Sequence, residues 1–260
     1  MPKGAKTNMK DLLLLAIGLI AGTMNALGGG GSLIAFPVLL AAGLPAIAAN
    51  ATIDIVILPG QLASAFGYRK FLRKLPRKYL FLLLPLIIGS AIGATVLRHT
   101  SNDQFSRLVP YLIAVAVLLF AFQPLLHKHL HQHIKHRKKS IKPLVYISLV
   151  LLPIAFYGGF FLAGLGFLML AFLGFTSLDD MHQMNALKNL ANIAIVAASI
   201  ITLASGDIFD WHYGLVMAGG NLFGGYFGAQ LAQKIPTRAV RIFIIFVGIA
   251  AAAYIAFRHY

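Results

Sequence analysis

Between Lys78 and Arg98 no residue carries a charge. The run 79–97 is close to the length at which a helix crosses the hydrocarbon layer of a bilayer, about 20 apolar residues. No water reaches that layer to satisfy exposed backbone, so a chain crossing it must close its own hydrogen bonds. The run recurs along the sequence. Spans read at 11–27, 47–66, 79–97 and 107–126, with a short one at 32–43. After a polar linker at 127–142 come 143–162, a short span at 165–176, then 183–204, 212–233 and 242–257. Composition agrees: 59% of residues are hydrophobic and 11% charged, where a soluble domain carries about a quarter charged. The expected fold is an all-α polytopic membrane protein, multi-pass in the inner (plasma) membrane.

The net charge is +15. The basic residues sit mainly between apolar spans, so they are read as orienting the chain and touching anionic lipid headgroups; no nucleic-acid partner is expected. Cysteine is absent, which removes disulfide and thiolate chemistry. All seven acids are Asp, which removes His-Glu metalloprotease motifs. Ser32, Ser64, Ser199 and Ser205 have no histidine at a recognisable catalytic spacing, so the chain is not read as an enzyme. Lys3, Lys6 and Lys10 ahead of Leu12–Ile20 have the form of a signal peptide, but this segment belongs to a unit that recurs later and is read as retained.

The recurrence divides the chain into a first membrane repeat (1–126), the linker (127–142) and a second repeat (143–260). Asn50 and Asn185 open "NAT" and "NAL", Gly89 and Gly224 lie in "IGSAIGA" and "FGGYFGA", and Gly93 matches Gly228. Each pair has the same separation, 135 residues. With five elements per repeat, an odd number, the two copies face opposite ways. Charge agrees: loop 68–78 holds Arg69, Lys70, Arg73, Lys74, Arg77 and Lys78, whereas its counterpart "GDIFDW" at 206–211 has no Lys or Arg. The first is then cytoplasmic and the second external. If the short element instead plunges and returns, leaving four true spans per half, the repeats become parallel.

The residues Gly28, Gly29, Gly30 and Gly31, followed by Ser32, interrupt the first apolar stretch. Glycine is a poor helix residue, and packing needs only small residues at intervals. Four in a row point to a deliberate break, with Ser32 capping the half-helix that follows and Pro37 loosening it. Gly164 and Gly166 mark the counterpart in the second half. A helix N-terminus carries about half a positive charge and binds anions, and repeats that each contain a broken short helix mark secondary transporters.

The stretches "GGGGSLIAFPVLLAAGLPAIAANAT" and "YGGFFLAGLGFLMLAFLGFTSLDDMHQMNALKN" resemble the TauE/SafE sulfite-exporter family of membrane permeases over nearly the whole chain. The resemblance implies movement of small sulfur-containing anions: sulfite, sulfonates or related organic acids. The glycine run is unequal between the halves, so the two breaks need not contribute equally.

Ionisable groups inside spans are costly and usually functional. Asn50, Thr52, Asp54 and Gln61 are expected to face Asn185, Lys188 and Asn189 near the centre, the asparagines donating to an oxyanion or capping their helices. Lys188 either neutralises the anion, pairs with Asp54 or snorkels to the interface. Asp54 and His182 are the candidates for a coupling proton. Asp179 and Asp180 favour the helix start beside them, and Trp211, Tyr213 and Tyr79 fit an interfacial aromatic belt. In the linker, His127/His131 and His129/His133 have helical spacing, but six Lys or Arg in that stretch repel a cation, so no metal is expected. Nor is a cofactor, since no ATP-binding motif is present. The expected function is a secondary transporter of a small anion, with an anion channel on the same scaffold as the alternative. Homo-oligomerisation is left open.

Overall fold

The computed structural model describes residues 9–115, 118, 142–173, 176, 178 and 180–234. The linker apart from Lys142, Asp179, most of 116–126 and the last span at 242–257 lie outside the described residues. Every regular element among them is helical. The first half holds α1 (Met9–Leu27), α2 (Gly31–Ala41), α3 (Ala46–Gly67), the short α4 (Arg69–Leu72), a 3-10 turn (Arg77–Leu82) running into α5 (Leu83–His99), and α6 over residues 102–115. The second half holds α7 (Lys142–Phe160), α8 (Leu165–Leu173), α9 (Met181–Leu203) and α10 (Trp211–Leu231). Four of these segments are long and apolar enough to cross a membrane: α1, α3, the combined segment Arg77–His99, and α9. The short elements expected at 32–43 and 165–176 are separate helices.

Local chemistry sets the boundaries. Gly43, in the left-handed region at φ +102°, ends α2. Its N–H reaches the Leu40 carbonyl (3.0 Å) and the Leu44 N–H that of Leu39 (3.2 Å), the double closure of a Schellman motif. Pro45 then starts α3 with the fixed φ of proline. Asp180 caps α9 by accepting from the His182 N–H (2.8 Å), and Asp210 caps α10 by accepting from Tyr213 N–H (3.0 Å).

The helices approach at glycines. A Cβ on Gly93 would sit 2.1 Å from the Phe156 carbonyl oxygen, and one on Gly89 2.6 Å from that of Leu152. In the other half, a Cβ on Gly224 would sit 2.1 Å from the Leu19 oxygen, and one on Gly228 2.7 Å from the Thr23 Cα. The matched glycines therefore do the same job, α5 against α7 and α10 against α1. Such stripes let backbones meet where no hydrophobic force drives helices together.

Contact order along these stripes gives directions. Gly18 meets Met217 and Gly22 meets Asn221, so α1 and α10 run parallel, as do α5 and α7. Asp54 meets Ser199 and Ser64 meets Asn189, so α3 and α9 run antiparallel. These two are the most buried of the spans and carry most of the buried polar side chains. Leu62, Phe81, Leu84, Ile92, Ile201, Leu215 and Phe227 point outward, as a lipid-facing surface requires. Trp211 is exposed at a helix start, as expected of a belt residue. Tyr79 is not: it is 2% exposed, covered where the 3-10 turn folds its ring inward.

Candidate functional site

Three residues of the glycine run, Gly29, Gly30 and Gly31, each have their own reason to be glycine. Gly29 and Gly30 take left-handed backbone at φ 112° and 85°, which costs any L side chain. A Cβ on Gly31 would lie 2.0 Å from the Ala21 carbonyl oxygen, so the start of α2 presses on α1. Gly28 and Gly29 both donate to the Met24 carbonyl (3.1 and 3.0 Å), closing α1. Ser32 does not cap α2 as expected. Gly30 is the N-cap and provides no side chain; the Ser32 hydroxyl reaches instead to the Leu162 carbonyl across the other half (3.4 Å). The capping role falls to Asn25, whose Oδ1 accepts from the Gly31 N–H at 2.8 Å.

The second break is built differently. Gly164 supplies the left-handed residue at φ 80°. The Tyr157 hydroxyl donates to the Ala163 carbonyl (2.7 Å), and α8 starts at Leu165. The two breaks touch: a Cβ on Gly166 would lie 2.7 Å from the Gly29 Cα and 3.4 Å from the Gly28 oxygen. The N-terminal ends of α2 and α8, each the positive end of a helix dipole, therefore lie close together. Beside them is a small cavity, with free space of about one water molecule, lined by Asn25, Ser32, Ile57, Gln61, Leu162, Leu165, Gly166, Asn192 and Val196.

Lys188 is fully buried. Its ammonium donates to the Asn25 carbonyl at 2.7 Å, near the C-terminal end of α1, where the helix dipole favours a cation. It does not snorkel, and it does not pair with Asp54. The antiparallel register explains why: Ser64 faces Asn189, whereas Asp54 lies ten residues earlier on α3, about 15 Å along the axis. Asp54 accepts from the Ser199 hydroxyl at 2.6 Å.

The remaining candidates divide. Asn50 and Asn185 lie inside α3 and α9, so neither caps its helix. Asn50 donates to the Phe160 carbonyl at the end of α7 (3.1 Å), the neutral equivalent of what Lys188 does at the end of α1. Asn185 is buried with its Oδ1 unpartnered, and Asn189 donates to Ser64 (2.7 Å) with its own Oδ1 unpartnered. Thr52 is drawn away, accepting from the Asp210 N–H (3.0 Å) in the loop before α10. His182 stacks at a tilt on Phe71, ring centroids 4.9 Å apart, and near Tyr68. Asn25 and Asn192 escaped the sequence reading. Asn192 extends the helical stripe Asn185, Lys188, Asn189 by one more step, a signal that was available.

The family model described as sulfite exporter TauE/SafE matches residues 14–255. The chain is 31% identical over 245 residues to a probable membrane transporter protein of Haemophilus influenzae, covering 90% of this chain and 91% of that one. It is 27% identical over 241 residues to the probable membrane transporter protein ORF9 of a Sinorhizobium species (92% and 89% covered). It is 24% identical over 243 residues to the probable membrane transporter protein YfcA of Escherichia coli (93% and 87%). No solved structure matches. Two touching helix breaks at the core of an all-helical, apolar-surfaced molecule, and a family match from the first helix almost to the last residue, make this chain a member of the TauE/SafE sulfite exporter family, a multi-pass membrane transporter of that type.

Proposed function

We propose that the chain is a secondary transporter of a small anion, sulfite, an organosulfonate or a related sulfur-containing or organic acid, in the inner membrane, driven by protons or the membrane potential. The observation that carries this reading is the contact between Gly29 and Gly166, which brings two half-helix N-termini to one polar point between the central helices. Such ends attract anions. In this reading Gly28–Gly31, Ser32, Gly164 and Gly166 expose the backbone to the solute. Lys188 balances its charge, and Asn185 and Asn189 offer side-chain amides from the same face. Asn50 holds the second break in place. Asp54, buried with Ser199 as its hydrogen-bond partner, carries the coupling proton; His182, packed among aromatic rings, is the weaker candidate for it. The opposed directions of α3 and α9, the equivalent helices of the two repeats, support inverted repeats over parallel ones.

The test is uptake into proteoliposomes against a panel of sulfite, sulfonates and carboxylates. Lys188→Ala and Asn185→Ala should each lower the uptake of accepted anions by about tenfold or more, the scale of a lost hydrogen bond to a charged group. Native rates in both variants for every accepted anion would refute the assignment. Saturation and a response to imposed gradients separate a transporter from a channel on the same scaffold, which would pass anions in proportion to their concentration.

A further inference from the structure

We infer that the solute is read by three neutral amides, Asn25, Gln61 and Asn192, in the cavity beside the two breaks. This rests on the transporter reading above. The three side chains come from α1, α3 and α9, and all line the same cavity. They are 6%, 2% and 4% exposed, yet Asn25 Nδ2, Gln61 Oε1 and Asn192 Oδ1 have no hydrogen-bond partner. A buried polar atom without a partner costs the full desolvation of that group, and three around one cavity mark a place where a polar ligand restores what burial removed. A terminal amide carries both N–H donors and a carbonyl acceptor. Turned about its last bond, it offers N–H to the oxygens of an anion or C=O to the proton of a hydrogen-bearing one.

The amides sit next to the first turns of α2 and α8, whose positive dipole ends favour an oxyanion held there. As it stands the cavity has room for about one water molecule, so sulfite, or the sulfonate end of a longer molecule, enters only when it widens. Admitting it requires the breaks to part; they touch at the Gly29 and Gly166 backbone, flanked by the Ser32 hydroxyl on the Leu162 carbonyl and the Phe36 ring edge-on to Phe161. Lys188 spends a hydrogen bond on the Asn25 carbonyl, and Asn25 Oδ1 holds the Gly31 N–H. A cation on α9 thus fixes both the amide at the cavity and the start of the first half-helix, while its charge still favours an anion nearby.

Radiolabelled sulfite uptake into proteoliposomes tests this. Gln61→Leu and Asn192→Leu should each raise the apparent KM by about tenfold or more, with a smaller change in maximal rate. Asn192→Asp, which adds a negative charge at the same size, should abolish uptake. Asn221→Ala is the control: Asn221 is equally buried with an unpartnered Oδ1, but it packs α10 against α1 away from the cavity, and its KM should stay native. If the leucine variants do not give monodisperse protein, Gln61→Met and Asn192→Ser carry the same expectation. Native KM in the cavity variants, with wild-type vesicles active, overturns the amide site and leaves the transporter reading standing. Wild-type vesicles no faster than empty liposomes overturn both.

Discussion

Gly30 and Gly43 both lie in the left-handed region, at φ 85° and 102°, and a side chain in that region costs about 1–2 kcal/mol. Their surroundings differ. Gly43 has nothing within 4 Å of a built Cβ, and it ends a half-helix at the surface. Gly30 starts the half-helix at the site. Gly30→Ala and Gly43→Ala should therefore lower the thermal unfolding midpoint in detergent by similar amounts, while only Gly30→Ala also slows anion uptake. Equal uptake in the two would detach the break from function. At this scale the importance of the glycine run was legible, because four glycines exceed any packing need. The partners were not. That Asn25 rather than Ser32 caps α2, and that Lys188 meets a carbonyl rather than Asp54, depends on side chains from helices far apart in sequence.

Helix limits were legible to within a few residues, because apolar length and the acidic helix start at Asp180 are local signals. Which face of each helix meets which neighbour follows from the glycine stripes. Gly93 approaches the Phe156 carbonyl so closely that a Cβ would fall 2.1 Å from its oxygen, whereas the nearest atom to a Cβ on Gly219 is a flexible leucine methyl at 3.4 Å. Gly93→Leu should force α5 from α7 and cost about 1–3 kcal/mol or more, seen as loss of the monodisperse peak in detergent size-exclusion chromatography. Gly219→Ala should elute as the wild type does. The belt role expected of Tyr79 failed at this same scale: an aromatic near a span end is consistent with an outward or an inward ring, and only packing chooses.

Across the whole molecule, the basic side chains of residues 69–78 are exposed on one connection, and Asp207 is exposed on the connection between α9 and α10. If the repeats are inverted, these connections lie on opposite sides of the membrane. An Asp207→Cys variant, in a chain with no native cysteine, should react with an impermeant thiol reagent applied to intact cells; reaction only after permeabilisation would overturn the inverted arrangement. The sequence alone determined that the chain crosses a membrane as helices, where two of them are short, and which glycines match between halves. Those properties are carried by hydropathy, backbone freedom and spacing, all of which act along the chain. The register of α3 on α9, the contact of the two breaks and the three amides around one cavity were decided only in three dimensions, because antiparallel packing pairs residues by their height in the bundle, and the distance between them in sequence says nothing of that height.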